Sequence, residues 1–156
     1  MQSQPNAEFF SPSGPEGKRL AWLGHTGAAP TIVFLGGYRS DMRGTKAERL
    51  SATCAKAGLG FLRFDYCGHG ESSGQFADLT ISDWLEDAAD IVSARTEGPL
   101  LLVGSSMGGW IALLLAQRMR ARMAGMLLLA PAPDFTKRLV EPSLTCLLYT
   151  SPSPRD

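Results

Sequence analysis

The chain has 156 residues, enough for one domain with a core that depends on neither disulfides nor metals. Fifteen lysines and arginines balance fifteen aspartates and glutamates, so the formal charge is zero and no basic stripe points to nucleic acid or an anionic membrane surface. No run reaches the roughly 20 apolar residues of a membrane span, the start lacks a basic stretch followed by an apolar core, and Cys54, Cys67 and Cys146 stand apart without disulfide or zinc spacing. A cytoplasmic protein with a small-molecule partner is the expectation.

Residues 1–18 are rich in Pro, Ser, Gly and Gln, and only Phe9 and Phe10 can anchor a short edge strand, near 7–10. Residues 19–23 predict a second strand, closed by a turn at Gly24-His25-Thr26-Gly27 that leaves His25 in solvent. The continuous apolar run 31–35, ending at Gly36-Gly37, predicts a fully buried parallel strand. Thr45-Lys46-Ala47-Glu48 has capping-box form and predicts a helix with Leu50, Cys54 and Ala57 on one face and Gly58 at its end.

The strand 60–64 delivers Asp65 to its carboxyl end, and a Gly/Ser-rich loop covers 66–79. A helix over about 82–95 turns Leu85, Ala88, Ala89 and Val92 inward, followed by a strand at 100–103 and a helix over about 107–119. Arg118, Arg120 and Arg122 sit where that helix's dipole favours cations. Residues 125–131 read as another buried strand, leading into Pro131-Ala132-Pro133-Asp134. Strands alternating with helices predict an α/β fold, a mostly parallel sheet with helices on both faces.

The chemistry concentrates at Gly104-Ser105-Ser106-Met107-Gly108. An apolar strand, Gly-x-Ser-x-Gly and an apolar helix in direct succession form the pattern of a nucleophile elbow, which exposes a serine hydroxyl on a sharp turn. Gly104 and Gly108 omit side chains where strand and helix approach. The amide of Met107, at the helix start, faces the place where an oxyanion would form, and the backbone of Tyr38, in the loop after the 31–35 strand, is the candidate second donor. A dinucleotide-binding turn needs glycines at its first, third and sixth positions; glycines at 104, 108 and 109 do not fit. No cofactor or metal is implied. The bland alternative is a glycine-rich turn that only lets a helix pack.

Three segments in order, Leu35-Gly36-Gly37-Tyr38, then Phe64-Asp65-Tyr66-Cys67-Gly68-His69-Gly70-Glu71-Ser72-Ser73-Gly74, then Gly104-Ser105-Ser106-Met107-Gly108-Gly109-Trp110, resemble the α/β-hydrolase fold family over about residues 7–138. Within it the chain is similar to the branch of serine hydrolases that includes a palmitoyl-protein thioesterase also able to cleave acyl glucuronides. The resemblance implies a serine esterase or thioesterase with Ser106 as nucleophile and a small acyl ester or thioester as substrate. It also implies the chain order Ser, then acid, then His, whereas His25 and His69 both precede Ser106. Asp134 is the candidate acid. Asp65 and His69 read as loop braces, Cys54 and Cys67 as packing, and Arg39, Asp41, Arg43 and Lys46 as solvated or mutually paired charges.

Residues 146–156 match, residue for residue, the translation of a transposase adapter used in short-read library preparation. The expected organisation is therefore 1–145 as the N-terminal part of one α/β-hydrolase domain, truncated after about the sixth strand, with 146–156 not native. The parent protein is expected to be an active hydrolase and this chain, without a base, inactive. The alternatives are a non-catalytic α/β-hydrolase-like domain, or the same fold performing C–C bond or peptide hydrolysis.

Overall fold

The apolar run 31–35 lies in the middle of a six-stranded sheet of order β1-β2-β4-β3-β5-β6. In the computed structural model, which describes residues 5–14 and 16–133, the strands are β1 (Glu8–Phe10), β2 (Leu20–His25), β3 (Ala28–Leu35), β4 (Leu59–Phe64), β5 (Leu100–Ser105) and β6 (Met123–Leu129). The helices are α1 (Thr45–Lys56), α2 (Ile81–Arg95) and α3 (Met107–Arg118), with 3-10 turns at Phe76–Asp78 and Arg120–Arg122. β4, β3, β5 and β6 run parallel, while β2 is antiparallel to both β1 and β4.

Alternation along the central strands divides the core in two. Val33, Leu35, Leu62 and Leu102 face α2 and α3, where Leu85, Ala88, Ile91, Ile111 and Leu115 meet them. Ile32, Phe34, Phe61 and Val103 face the other way, onto Ala47 and Cys54 of α1. Strands buried on both faces explain why these segments read as unbroken apolar runs. The register Phe34↔Val103 and Leu35↔Gly104 brings the carboxyl ends of β3 and β5 level, so the loops that follow them meet.

Several local readings change. β2 runs on through Gly24 and His25 because these residues pair with Leu62 and Phe61 of β4. His25 is consequently not in a solvated turn: its ring stacks on Phe61 at 6.0 Å and its Nε2 lies 3.4 Å from the Ser51 carbonyl. At α1 the cap is Gly44, with no side-chain bond, so Thr45 is already helical and the expected capping box does not form. Ala57 is exposed, since it is the C-cap, while Gly58 takes the left-handed conformation (φ 69°) expected after a helix. The true box belongs to α2, where the Thr80 hydroxyl accepts from the Asp83 N–H and the Asp83 carboxylate accepts from the Thr80 N–H. β6 is not a buried strand: Leu127 is 51% and Met126 38% exposed, because among the described residues β5 is its only neighbour.

Candidate active site

Ser106 sits between the end of β5 and the start of α3, as the N-cap of α3, with φ 56° and ψ −119°. A non-glycine residue adopts such angles only when its surroundings hold it there, at a cost on the order of 1–3 kcal/mol. Its N–H donates to the Leu129 carbonyl at the end of β6 (3.0 Å), and its own carbonyl accepts from the N–H groups of Gly109 (2.9 Å) and Ala132 (3.1 Å). The flanking glycines are needed for close approach: a Cβ on Gly104 would strike the Gly108 carbonyl, and one on Gly108 would strike the carbonyls of Leu35 and Gly36. Strand and helix are thus joined by a tight turn with Ser106 at its apex. Met107 is fully buried as the first helical residue, and its N–H is one of the helix-start donors that have no intrahelical acceptor.

The loop after β3 passes directly against this turn. A Cβ on Gly37 would stand 3.4 Å from Ser106 Cβ and 3.3 Å from the Ser105 carbonyl oxygen. Tyr38, the next residue, sets its ring edge-on to Phe76 at 5.0 Å. The loop is tied at four points. The Tyr66 hydroxyl donates to the Gly36 carbonyl (3.2 Å) and the Arg39 N–H to His69 Nε2 (3.2 Å). The Met42 N–H donates to Asp65 Oδ1 (2.7 Å), and the Met42 carbonyl accepts from the Arg63 guanidinium (2.9 Å).

Asp65 is therefore a brace. Its second oxygen accepts from the Glu71 N–H (2.9 Å), so one buried carboxylate joins the loops after β3 and β4. Burial raises its pKa, and the two backbone N–H donors oppose that shift. His69, 4% exposed, lies among the rings of Tyr66, Phe76 and Trp84, with Nδ1 3.2 Å from the Cys67 carbonyl. Burial lowers its pKa, against the Cys67 carbonyl and the carboxylates of Asp65 and Asp87.

Some contacts have no counterpart in the sequence reading. Lys46, expected to be solvated or paired with a neighbouring charge, reaches over a hollow of about 160 Å³ to donate to the Ser105 hydroxyl at 2.9 Å. Arg43 pairs with Glu71 at 2.8 Å. Asp87 is 1% exposed, accepts from the Cys67 N–H at 2.7 Å and pairs with Lys18 at 2.6 Å. For Lys18, burial pulls the pKa down but Asp87 outweighs it, leaving the ammonium group raised. Burial together with Asp87 pushes the Cys67 thiol up to about 11, and burial raises Cys54, which makes both poor nucleophiles and fits their packing role. The signal for Asp87 was its place on the inward stripe of α2 between Trp84 and Ala88; for Arg63, a charge within an otherwise apolar strand.

Arg19 joins the far side of the loop after β4. Its N–H donates to the Ser73 hydroxyl (2.8 Å) and its carbonyl accepts from the Ser73 N–H (2.9 Å), while the Ala21 N–H donates to the Ser72 hydroxyl (2.8 Å). Asp134 and residues 146–156 lie outside the described residues. Among the described residues no group of three or more His, Cys, Asp or Glu is placed to hold a metal, and no helix is long and apolar enough to cross a membrane.

The profile of the serine aminopeptidase S33 family matches residues 27–152. The chain belongs to this family. Among the relatives of this S33 chain is the human mitochondrial palmitoyl-protein thioesterase ABHD10, 37% identical over 120 residues, which are 77% of this chain and 39% of the relative. The Bos taurus ABHD10 is 41% identical over 99 residues, 64% of this chain and 32% of the relative. A crystal structure of a putative hydrolase from Agrobacterium vitis S4 superposes with a TM-score of 0.81 at 45% identity, covering 91% of this chain and 59% of that one. Mouse α/β hydrolase domain-containing protein 10 gives 0.82 at 34% identity, covering 92% and 56%.

These neighbours establish the α/β-hydrolase fold for the S33 chain, and the palmitoyl-protein thioesterase resemblance holds. The chain spans about two-fifths of the length of the human relative. That relative's name places it in the mitochondrion, so the expectation of a cytoplasmic protein draws no support from it.

Proposed function

We propose that this S33 chain carries the nucleophile and the oxyanion side of a serine hydrolase that cleaves carboxylic esters or thioesters through an acyl-enzyme. The observation behind the reading is Ser106, held at positive φ on the N-cap of α3 with the loop after β3 packed against it. The thioesterase relatives supply the substrate class.

In the proposed reaction the Ser106 hydroxyl attacks the acyl carbonyl, and its proton passes to a histidine that follows Ser106 in the chain. The tetrahedral oxyanion is held by the N–H groups of Met107 and Tyr38. Collapse breaks the C–O or C–S bond and expels the alcohol or thiol, which takes the proton from the histidine; water then releases the acid by the reverse sequence. Loss of one oxyanion donor costs about 2.7–4 kcal/mol of transition-state stabilisation. Asp134 is a candidate to orient the histidine. Residues 146–156 are read as adapter-derived, a reading supported by the residue-for-residue match. The family's name favours a second reading, peptide hydrolysis at the same serine.

A fluorophosphonate probe tests the assignment. The intact enzyme should be labelled and its Ser106→Ala variant should not, with the 156-residue chain reacting far more slowly because it lacks the base. Labelling that survives Ser106→Ala would overturn the nucleophile. A panel of acyl thioesters, esters and aminoacyl amides separates the two substrate readings, and resequencing of the parent locus decides the tail.

A further inference from the structure

Residues 37–40 form a turn closed by the Ser40 N–H donating to the Gly37 carbonyl at 3.1 Å. Its third position has positive φ, the conformation a type II turn demands and where glycine normally stands. Here the residue is Arg39, at φ 54°. A non-glycine residue in that conformation costs on the order of 1–3 kcal/mol unless its surroundings over-determine it. Its guanidinium lies over the Phe76 ring at 4.8 Å, and its backbone is held by His69, 30 residues away in the chain, whose Nε2 accepts the Arg39 N–H.

The bond has one consistent proton arrangement. Nε2 faces an N–H donor, so it is the acceptor, and Nδ1 faces the Cys67 carbonyl, so it carries the proton. The ring spans the gap between the two loops only while it is neutral. The turn in question contains Tyr38. On one side of it, the Gly37 carbonyl is held by the Ser40 bond, in a loop too close to Ser106 for a larger residue at 37; on the other, the Tyr38–Arg39 peptide is held by His69.

We infer that His69 is a positioning residue for the oxyanion loop, holding the strained turn at Tyr38 and Arg39 so that the Tyr38 amide stays aimed at the carbonyl attacked by Ser106. The inference rests on the acyl-transfer reading given above. Protonation of the ring would set two donors against each other and release Arg39. The groups facing the imidazole are Asp65 at the end of β4 and Asp87 on α2, which favour the protonated ring, with Tyr66 and Cys67 from its own loop and Arg39 opposite. Desolvation outweighs the carboxylates and keeps the ring neutral to lower pH than an ordinary imidazole with pKa 6.5.

The test uses the intact enzyme labelled with 15N-histidine and 15N amide. His69 should show a pyridine-type Nε2 and a pyrrole-type Nδ1, and the Tyr38 and Arg39 amide resonances should move with the acid titration of that ring. His69→Phe keeps the ring packing and removes both bonds. It should lower kcat roughly tenfold to a hundredfold with KM within about twofold, the signature of a displaced group rather than lost binding. His69→Gln, whose amide oxygen can accept from Arg39, should recover part of the loss. A proton on Nε2, or amide resonances at Tyr38 and Arg39 that ignore the His69 titration, would overturn the inference. So would an unchanged kcat in a folded His69→Phe variant. If His69→Phe does not fold, the wild-type tautomer and titration decide alone. Failure of Ser106 labelling would instead strike the acyl-transfer reading and leave the loop coupling standing.

Discussion

Ser106 holds a positive φ that non-glycine residues seldom adopt, and this gives a direct measurement. With φ 56° and ψ −119° it occupies a conformation that glycine enters freely. Ser106→Gly should relieve about 1–3 kcal/mol of backbone strain against about 0.4–1 kcal/mol lost through the more flexible unfolded chain. The variant should therefore be more stable than the parent by about 1 kcal/mol, while lacking the hydroxyl on which the proposed acyl transfer depends. Urea unfolding of the two proteins checks this, and a less stable glycine variant would show that the turn is relaxed. At this scale much was legible. Gly104 and Gly108 declare themselves because a strand, a turn and a helix are contiguous in sequence. The bond from Arg39 to His69 does not, because nothing local links two residues that meet only after β3 and β4 have paired.

At the scale of elements, α2 shows how a polar residue can sit on an apolar stripe. Asp87 lies on the inward face with Trp84, Ala88 and Ile91, yet its carboxylate anchors the Cys67 N–H and the Lys18 ammonium at once. Removing it strands a buried N–H donor and an ammonium group whose side chain is 18% exposed. Breaking a fully buried pair costs 3–5 kcal/mol; with Lys18 partly in water, Asp87→Ala should cost about 2 kcal/mol, and Asp87→Asn, which keeps an acceptor for Cys67, clearly less. Denaturant midpoints for the two variants give the comparison, and equal losses would show that the Cys67 bond contributes nothing. The helix itself was readable from its periodicity. Its start falls within one residue of the expected position, although the Thr80 cap just ahead of the apolar pattern was not read, and the β2 boundary was missed because Gly24 reads as a turn residue until its pairing with Leu62 is seen.

For the whole molecule, the central parallel strands were the most legible part, since burial on both faces writes itself into unbroken apolar runs. The edges were legible only in part: the short edge strand expected near 7–10 is β1, whereas 125–131 reads as buried and stands at the other edge, because an edge depends on which neighbours are present. β6 has the apolar sequence of an inner strand, yet among the described residues it is flanked only by β5, and Leu127 and Met126 face solvent. An open apolar strand is a template for pairing with another chain. The 156-residue protein should accordingly self-associate in a concentration-dependent way, and Leu127→Lys should shift it towards monomer. Sedimentation velocity across a dilution series reads both, and a monodisperse wild-type monomer would refute the expectation.

The two bonds between Arg19 and Ser73, one to the Ser73 hydroxyl and one from its N–H, with the Ala21 bond to Ser72 beside them, graft the start of β2 onto the loop that carries His69. Lys18 adds a third anchor through Asp87. This settles where the chain can be engineered from its amino end. A tag or deletion confined to residues before Gly17 leaves these anchors whole, whereas removing residues through Ala21 takes away the partners that Ser72, Ser73 and Asp87 bond. An amino-terminal truncation chosen only for solubility would be mistaken for a catalytic defect.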